Sequence, residues 1–341
     1  MIEIFVINER TLWRFLWLAI TGRRPCVIEV QPVVAGLGRF LRPIVARLIK
    51  GGRAAEAFDL APSLGPVRAL GVISMIHDIF ARTEGWQRNH YAFARIDRDI
   101  PDYAMACKLV VSNYVHEAQI PVLLIDAIDR TNDNGAFSLH GGTPTIRGIF
   151  EAYYGRPCPG PPRRHSRPIL ANRLLAVMVC AAAFIWIARH IRLRSPETER
   201  YFLAVDDNSG PMNLISEVAD GGAIAMVART KNTPLPVSLR GRYTRFMQGD
   251  GVLGFRDALP AIALVVRDVR RILRCNADLE PQLFWRMAVL PFRRIVIRAL
   301  LARLRPTFYW GRDPYSPDHI LRRQELHRIG AESHSILHGF G

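Results

Sequence analysis

Ionisable side chains near the end of the chain directly follow short apolar runs of the kind that form strands. Arg312 and Asp313 come after one run, and His338 comes after the next. His319 lies between them, at the start of a helical pattern. In an open α/β sheet, polar residues just past the carboxyl ends of the strands face the ligand crevice. The spacing therefore predicts that Arg312, Asp313 and His338 share one rim of a sheet.

Two further polar residues are predicted on the same rim. Asp207 and Asn208 follow an earlier apolar run and begin a turn-like stretch. A competing interpretation gives all of these residues ordinary turn roles, with Asp318 as the N-cap of the last helix. The pattern leaves both interpretations open.

Other short motifs are weaker indications of a binding or catalytic site. The Asp-Arg-Asp stretch at 97–99 matches a pattern that can hold a divalent metal against a diphosphate, but an exposed loop is the simpler interpretation. The Gly-Leu-Gly stretch at 36–38 lacks the third glycine of a dinucleotide fingerprint and favours a tight turn. The ten histidines form no zinc-binding motif, and the sequence has no nucleophile elbow. The sequence thus predicts no bound metal or cofactor.

Alternating strand and helix patterns predict an α/β fold. We expect two Rossmann-like layered domains, at 1–150 and 200–341, joined by a Pro/Arg-rich linker and an apolar helix within 151–199. In the first domain, an apolar run at 121–128 predicts a strand, and turn residues predict a loop over 129–148. In the second, residues 292–305 predict a helix with an arginine-rich face.

The apolar helix is the most distinctive segment. Residues 174–188 carry no charge and are flanked on both sides by arginines. At 1.5 Å per residue, such a helix is about 22 Å long, shorter than the ~30 Å hydrocarbon core of a bilayer. Three interpretations compete: a helix at the membrane surface, a buried core helix and a membrane span.

The charge distribution favours an anionic membrane surface over nucleic acid as a partner. The chain carries 46 Lys and Arg against 30 Asp and Glu, for a net charge of +16. The densest excess lies in 151–200, with nine basic and three acidic side chains, and no nucleic-acid-binding signature is present. Arginines around an apolar helix are typical of proteins that contact anionic lipid.

The last third of the chain resembles a known family. The resemblance rests on Tyr309-Trp310-Gly311-Arg312-Asp313, His319, Arg322, Glu325-Leu326, Ile329-Gly330-Ala331 and Ile336-Leu337-His338-Gly339-Phe340. This order is similar to a stretch of bacterial surface-carbohydrate and capsular polysaccharide biosynthesis proteins that have a two-Rossmann-domain glycosyltransferase fold. The resemblance covers mainly residues 200–341.

The resemblance implies a sugar transferase acting at a membrane. Asp313 and His319 would serve in acid/base catalysis or acceptor contact, and His338 would lie on the rim between the domains. Asp207, Asn208 and Arg312 would bind substrate. The donor would be a nucleotide-sugar, and the acceptor a glycan or a lipid-linked sugar. We expect the protein at the cytoplasmic, inner face of the cytoplasmic membrane.

Because the sequence ends at Gly341, just after the His-Gly element, the resemblance implies an acceptor-side half without the donor-binding half. Catalysis by the chain alone is therefore left open. The alternative is a non-enzymatic membrane-peripheral scaffold or interaction protein. The sequence does not determine the oligomeric state.

Overall fold

A computed structural model describes most of the chain. The described residues are 2–9, 11–31, 37–60, 72–131, 137–159, 168–192, 200–206, 223–228, 243–311 and 316–335. The predictions for Asp207, Asn208, Arg312, Asp313 and His338 lie outside these residues.

The described elements alternate between strands and helices along much of the chain. The strands are β1 (Ile2–Ile7), β2 (Cys26–Val30), β3 (Ala55–Glu56), β4 (Phe137–His140), β5 (Ile191–Arg192), β6 (Leu203–Asp206), β7 (Ile224–Ala228), β8 (Tyr243–Met247), β9 (Leu253–Gly254), β10 (Phe308–Gly311) and β11 (Glu332–Ser335). The helices are α1 (Leu12–Ile20), α2 (Gly38–Lys50), α3 (Val72–His90), α4 (Phe93–Asp99), α5 (Ala104–Thr131), α6 (Pro144–Tyr154), α7 (Pro168–His190), α8 (Phe255–Asn276), α9 (Pro281–Ala288), α10 (Leu290–Leu304) and α11 (Pro317–Arg328). The expectation of a mixed α/β chain with parallel sheets is confirmed.

The chain divides into two compact units, each assembled from separated segments. Unit 1 comprises Met1–Arg95, Val111–Asn172 and Ala277–Trp285, and unit 2 comprises Ile96–Val110, Arg173–Asn276 and Arg286–Gly341. The domain boundaries drawn from the sequence stay predictions.

Unit 1 holds a parallel sheet in the order β3-β2-β1-β4. The apolar side chains of α1 and α2 pack with those of β1 and β2 in one core cluster. The members of this cluster are Phe5, Ile7, Phe15, Leu18, Val27, Val30, Leu41, Val45 and Ala54. Because α1 and α2 contribute to the same cluster, they cover the same face of the sheet.

The predicted strand at 121–128 is wrong, since these residues continue helix α5. A short apolar run without periodicity fits a buried strand and a buried helix equally well. Here the helix passes through Pro121, and Val122, Leu124 and Ile125 are buried. The predicted loop at 129–148 is also partly wrong, because it contains β4 and the start of α6.

Unit 2 holds a parallel sheet in the order β11-β10-β6-β7-β8. One face of this sheet packs against α10 and α11 in a cluster that includes Tyr201, Val227, Leu301, Tyr309 and Leu326. The two helices therefore cover the same face of the sheet.

Helix α7 has a buried seam and an exposed apolar face. In unit 2, Leu175, Val179, Ala183 and Ile187 are buried at four-residue spacing, as expected for one side of a helix. Apolar residues on the opposite side are about half exposed or more: Leu174, Val177, Met178, Phe184 and Ile185. Among the described residues, α7 alone is long and apolar enough to cross a membrane, although the core helix of a soluble protein can also meet this criterion.

One carboxylate ties α10 to α11. The side chain of Glu325 is fully buried and accepts hydrogen bonds from Arg294 at 2.7 Å, Arg298 at 2.8 and 2.9 Å and Arg328 at 2.8 Å. Burial opposes the charge on Glu325, but hydrogen bonds from Arg298 and Arg294 outweigh it and lower the pKa to about 2. The arginine face predicted on α10 is thus partly directed at a buried partner.

We expect Glu325→Gln to destabilise unit 2 by roughly 3 kcal/mol at pH 7, because the partly buried Arg294 and Arg298 lose their counter-ion. The ionised carboxylate stabilises the fold above the ordinary glutamate pKa, and this contribution disappears as the pH falls towards 2. Urea unfolding at pH 7 and pH 3 would measure both effects. The exposed Glu84, which pairs with Arg88 on α3, provides the control Glu84→Gln. Equal losses for the two variants at pH 7 would contradict the anchoring role.

Candidate functional site

The strand order of unit 2 reverses between β6 and β10. The chain proceeds from β6 through β7 to β8 on one side and then returns to place β10 and β11 on the other side of β6. In open parallel sheets, ligands bind outside the carboxyl ends of the strands at such a reversal. The side chains at the ends of β6 and β10 are therefore the first candidates for a site.

A buried polar cluster occupies this position. Nη1 of Arg322 donates to both carboxylate oxygens of Asp206, at 2.8 and 2.9 Å, and to the hydroxyl of Tyr309 at 2.9 Å. The Tyr309 hydroxyl in turn donates to Asp206 at 2.7 Å. All three residues are more than nine-tenths buried. Asp206 ends β6, Tyr309 lies on β10 and Arg322 lies on α11, so the cluster joins three elements.

The cluster holds Arg322 and Tyr309 in defined charge states. Burial opposes the charge on Arg322, but Tyr309 and Asp206 outweigh it and raise the pKa of Arg322 above its ordinary value. Burial also raises the pKa of Tyr309 above the usual tyrosine range, despite the nearby arginine. Arg322 therefore stays charged and Tyr309 stays protonated at any physiological pH.

The cluster uses only part of the guanidinium of Arg322. Its Nε is buried and has no hydrogen-bond partner among the residues the structure describes. Nη2, on the same edge as Nε, would lie 3.2 Å from a Cβ added to Gly311, so a larger residue there would crowd it. This edge is the one that binds carboxylate or phosphate in a bidentate manner.

A pocket of about 330 Å³ lies beside the cluster. Its polar lining residues are Gln248, Arg293, Tyr309, Ser316, Asp318 and Arg322. Its apolar lining residues are Val227, Val296, Ile297, Leu300 and Leu301. An apolar wall with a few fixed polar groups is typical of small-molecule sites.

The structure places one of the residues predicted from the sequence. His319 lies in the first turn of α11 and is 9% exposed. Its Nδ1 would be 3.5 Å from a Cβ on Gly311, which puts the imidazole beside Arg322. The predicted N-cap Asp318 is wrong, because Ser316 is the N-cap and its side chain accepts from the Asp318 backbone N–H. Asp318 instead pairs with Arg293 at 3.2 Å, at the pocket.

Sequence reasoning missed the buried cluster. It placed polar residues just past the strand ends, whereas Asp206 is the last residue of β6 itself. Arg322 and Tyr309 contributed to the family resemblance but were given no role. An aspartate ending a fully apolar strand is a signal that could have pointed to a buried partner, since such a charge requires one.

In unit 1, a side chain of the unit itself fills the carboxyl-terminal edge of the sheet. The buried carboxyl group of Glu280 accepts from the backbone N–H and hydroxyl of Thr145 and from the hydroxyl of Tyr114. It thereby occupies the amino-terminal end of α6, where a ligand anion would otherwise bind. Burial raises the pKa of Glu280 above the usual glutamate range, although these hydrogen bonds oppose the rise. Gly141, before α6, passes so close to β1 that a Cβ would lie 1.8 Å from the Val6 carbonyl oxygen.

The Asp-Arg-Asp stretch shows no converging carboxylates. Asp97 pairs with Lys108 at 2.6 Å, and Asp99 accepts from Arg98 at 2.8 Å. Within the described ranges, no group of three or more His, Cys, Asp and Glu side chains could hold a metal ion.

Comparisons with known proteins identify no family. No family model matches the chain, and no curated protein or solved structure gives a significant match.

We expect Tyr309→Phe to lower the free energy of unfolding by about 1–3 kcal/mol, because Arg322 and Asp206 each lose a buried hydrogen bond. Thermal and urea unfolding of the full chain would measure the loss. Tyr243→Phe, on β8 of the same sheet, serves as the control and should change stability by less than about 0.5 kcal/mol. A Tyr309→Phe loss no larger than that of the control would contradict the proposed cluster.

Proposed function

We propose that the protein is a glycosyltransferase-like protein of bacterial surface polysaccharide biosynthesis. Unit 2 would be a Rossmann-like domain that holds the diphosphate of a substrate in the pocket beside β6 and β10. The single observation that carries this proposal is the buried Nε of Arg322, which has no hydrogen-bond partner among the described residues, at the reversal of strand order.

The chemistry of the pocket supports a phosphorylated ligand. Arg322 stays charged and is held rigidly by Asp206 and Tyr309, so it loses little freedom when it binds an anion. Arg293 adds a second cation at the pocket, although it pairs with Asp318. The apolar wall from α10 would contact the non-ionic part of the ligand. Nucleotide-sugars and lipid-linked sugars share the diphosphate that this arrangement fits.

Sugar transfer would need a base for the acceptor hydroxyl and stabilisation of the departing diphosphate. In our proposal, Arg322 binds the diphosphate of a lipid-linked acceptor and His319, beside it, takes the hydroxyl proton, whereas the departing diphosphate would be stabilised by a donor-binding half. Asp313 is a second candidate base, Arg312, Asp207 and Asn208 are candidate substrate ligands, and His338 is a rim residue. The donor would be a nucleotide-sugar, with no metal required.

Diphosphate binding tests the pocket. Calorimetry with inorganic pyrophosphate, uridine diphosphate and farnesyl diphosphate would separate shared diphosphate recognition from recognition of the nucleoside or the lipid. We expect Arg322→Lys to weaken binding at least about tenfold, because lysine cannot bind in a bidentate manner. The exposed neighbour Arg323 provides the matched control, Arg323→Lys.

A second variant tests the pocket without changing Arg322, a residue that the fold itself also needs. Val296→Phe would narrow the pocket without touching the buried cluster, and we expect it to weaken the same binding. Unchanged affinities in both Arg322→Lys and Val296→Phe would contradict a diphosphate site in this pocket.

Transfer of labelled sugar from a nucleotide donor to a lipid-linked acceptor tests catalysis. We expect His319→Ala to reduce transfer by roughly 10²–10⁴-fold, the range typical of general acid/base groups. The exposed His327, on the same helix, provides the control His327→Ala. Transfer that is unchanged by both His319→Ala and Asp313→Ala would remove those two residues from the mechanism.

One observation favours the second candidate function, a membrane-peripheral scaffold. The exposed apolar side of α7 carries large side chains such as Leu174, Val177 and Phe184, which is more apolar surface than a solvated helix usually presents. A scaffold would use α7 to contact the inner face of the membrane or a partner helix. It would bind vesicles without any affinity for diphosphates.

A further inference from the structure

The outer surface of α1 and α2 in unit 1 has an unusual composition. Both helices pack on the same core cluster, so they lie next to each other over one face of the sheet. Neighbouring helices in such a layer are about 10 Å apart. Their outward sides therefore form one continuous area, which we call the α1–α2 surface.

Large apolar side chains project from the α1–α2 surface. On α1, Trp13, Trp17 and Ile20 are 78%, 57% and 69% exposed, and their spacing places them on one side of the helix. On α2, Phe40 is 70% exposed, and the half-exposed Leu37 and Ile44 lie near it. Two tryptophans and a phenylalanine in one exposed area are unusual for a surface that faces only water.

The α1–α2 surface and the turns that follow its two helices have a strong positive charge. Residues 11–28 and 37–55 contain eight basic side chains and no acidic one. All eight are exposed: Arg14, Arg23, Arg24, Arg39, Arg42, Arg47, Lys50 and Arg53. Arg14 pairs with Glu3 at 3.4 Å, and within the described residues none of the other seven has an ion-pair partner. Residues 1–150 as a whole are nearly neutral, so this positive charge is concentrated in two neighbouring segments of the chain.

We propose that the α1–α2 surface docks onto an anionic phospholipid bilayer. The tryptophans and the other apolar side chains would enter the boundary between headgroups and acyl chains, and the arginines would bind lipid phosphates. The guanidinium of Arg23 lies 5.6 Å from the ring centre of Trp17, so one cation and one interfacial ring already lie side by side. This pairing places a charged group at headgroup level when the ring is inserted.

The apolar component distinguishes a bilayer from nucleic acid. A nucleic-acid interface uses cations and stacking aromatic rings, but it gains nothing from exposed aliphatic side chains such as Ile20 and Ile44. A bilayer gains about 25 cal/mol for each Å² of apolar surface removed from water. The combination therefore fits lipid better than DNA or RNA.

Vesicle flotation of the full chain tests the proposal. The probes are neutral phosphatidylcholine vesicles and vesicles with a third of phosphatidylglycerol. We expect binding to the anionic vesicles only, weakened as salt rises from 50 to 500 mM because exposed charges are screened. Binding to both kinds of vesicle with equal affinity would overturn the charge-dependent docking.

Variants locate the contact. We expect Trp13→Gln/Trp17→Gln, and separately Arg39→Gln/Arg47→Gln, to weaken partitioning by roughly tenfold or more, since each basic residue near the surface contributes on the order of 1 kcal/mol. Two double variants serve as matched controls: Arg82→Gln/Arg88→Gln on α3 for charge, and Leu174→Gln/Val177→Gln on α7 for apolar exposure. Unfolding curves would confirm that each variant is folded.

The outcomes separate this proposal from the proposed function. Binding that is abolished by the α7 variant and unaffected by the α1 and α2 variants would overturn the inference and assign the contact to α7. Binding of a DNA duplex that depends on Arg39 and Arg47, without vesicle binding, would also overturn it. The inference does not rest on diphosphate binding, because Arg322→Lys should leave flotation unchanged.

Discussion

The pairing of buried charges is the constraint on which unit 2 depends. Asp206 ends a strand that has no exposed residue, and the cost of burying its charge is offset by Arg322 and Tyr309. A few residues along α11, Glu325 binds three arginines in the same manner. Since removing one member of a buried pair costs several kcal/mol, helix α11 is fixed against both the sheet and α10. The position of the pocket follows from that fixation.

The two sheets treat their carboxyl-terminal edges differently. In unit 1, the side chain of Glu280 fills the amino-terminal end of α6. There it accepts hydrogen bonds from the Thr145 backbone N–H and the Tyr114 hydroxyl. In unit 2, the guanidinium of Arg322 satisfies Asp206 with one nitrogen, and its Nε has no partner within the described part of the chain. An edge whose hydrogen-bond donors are already paired cannot bind an anion, whereas an edge with an unpaired donor can. Similar parallel sheets thus give a structural edge in one unit and a candidate binding site in the other.

The net charge has a different meaning once the chain is folded. Some arginines of α10, such as Arg294 and Arg298, are directed at a buried carboxylate and contribute little to the surface field. On α1 and α2 the arginines face solvent with almost no acidic neighbours. The sequence total of +16 conceals this division. Surface charge beside exposed tryptophans, rather than total charge, is what favours lipid.

The sequence by itself determined most of the local structure. The helix predicted over 292–305 forms as α10 over Leu290–Leu304, because helical periodicity acts over a few residues. The run at 121–128 became helix because long-range packing, rather than local preference, decides a short apolar stretch. Only the tertiary structure decided that Asp206 meets Arg322 across 116 residues of sequence. Such a pairing depends on strand order, and no local pattern encodes the order in which strands join a sheet.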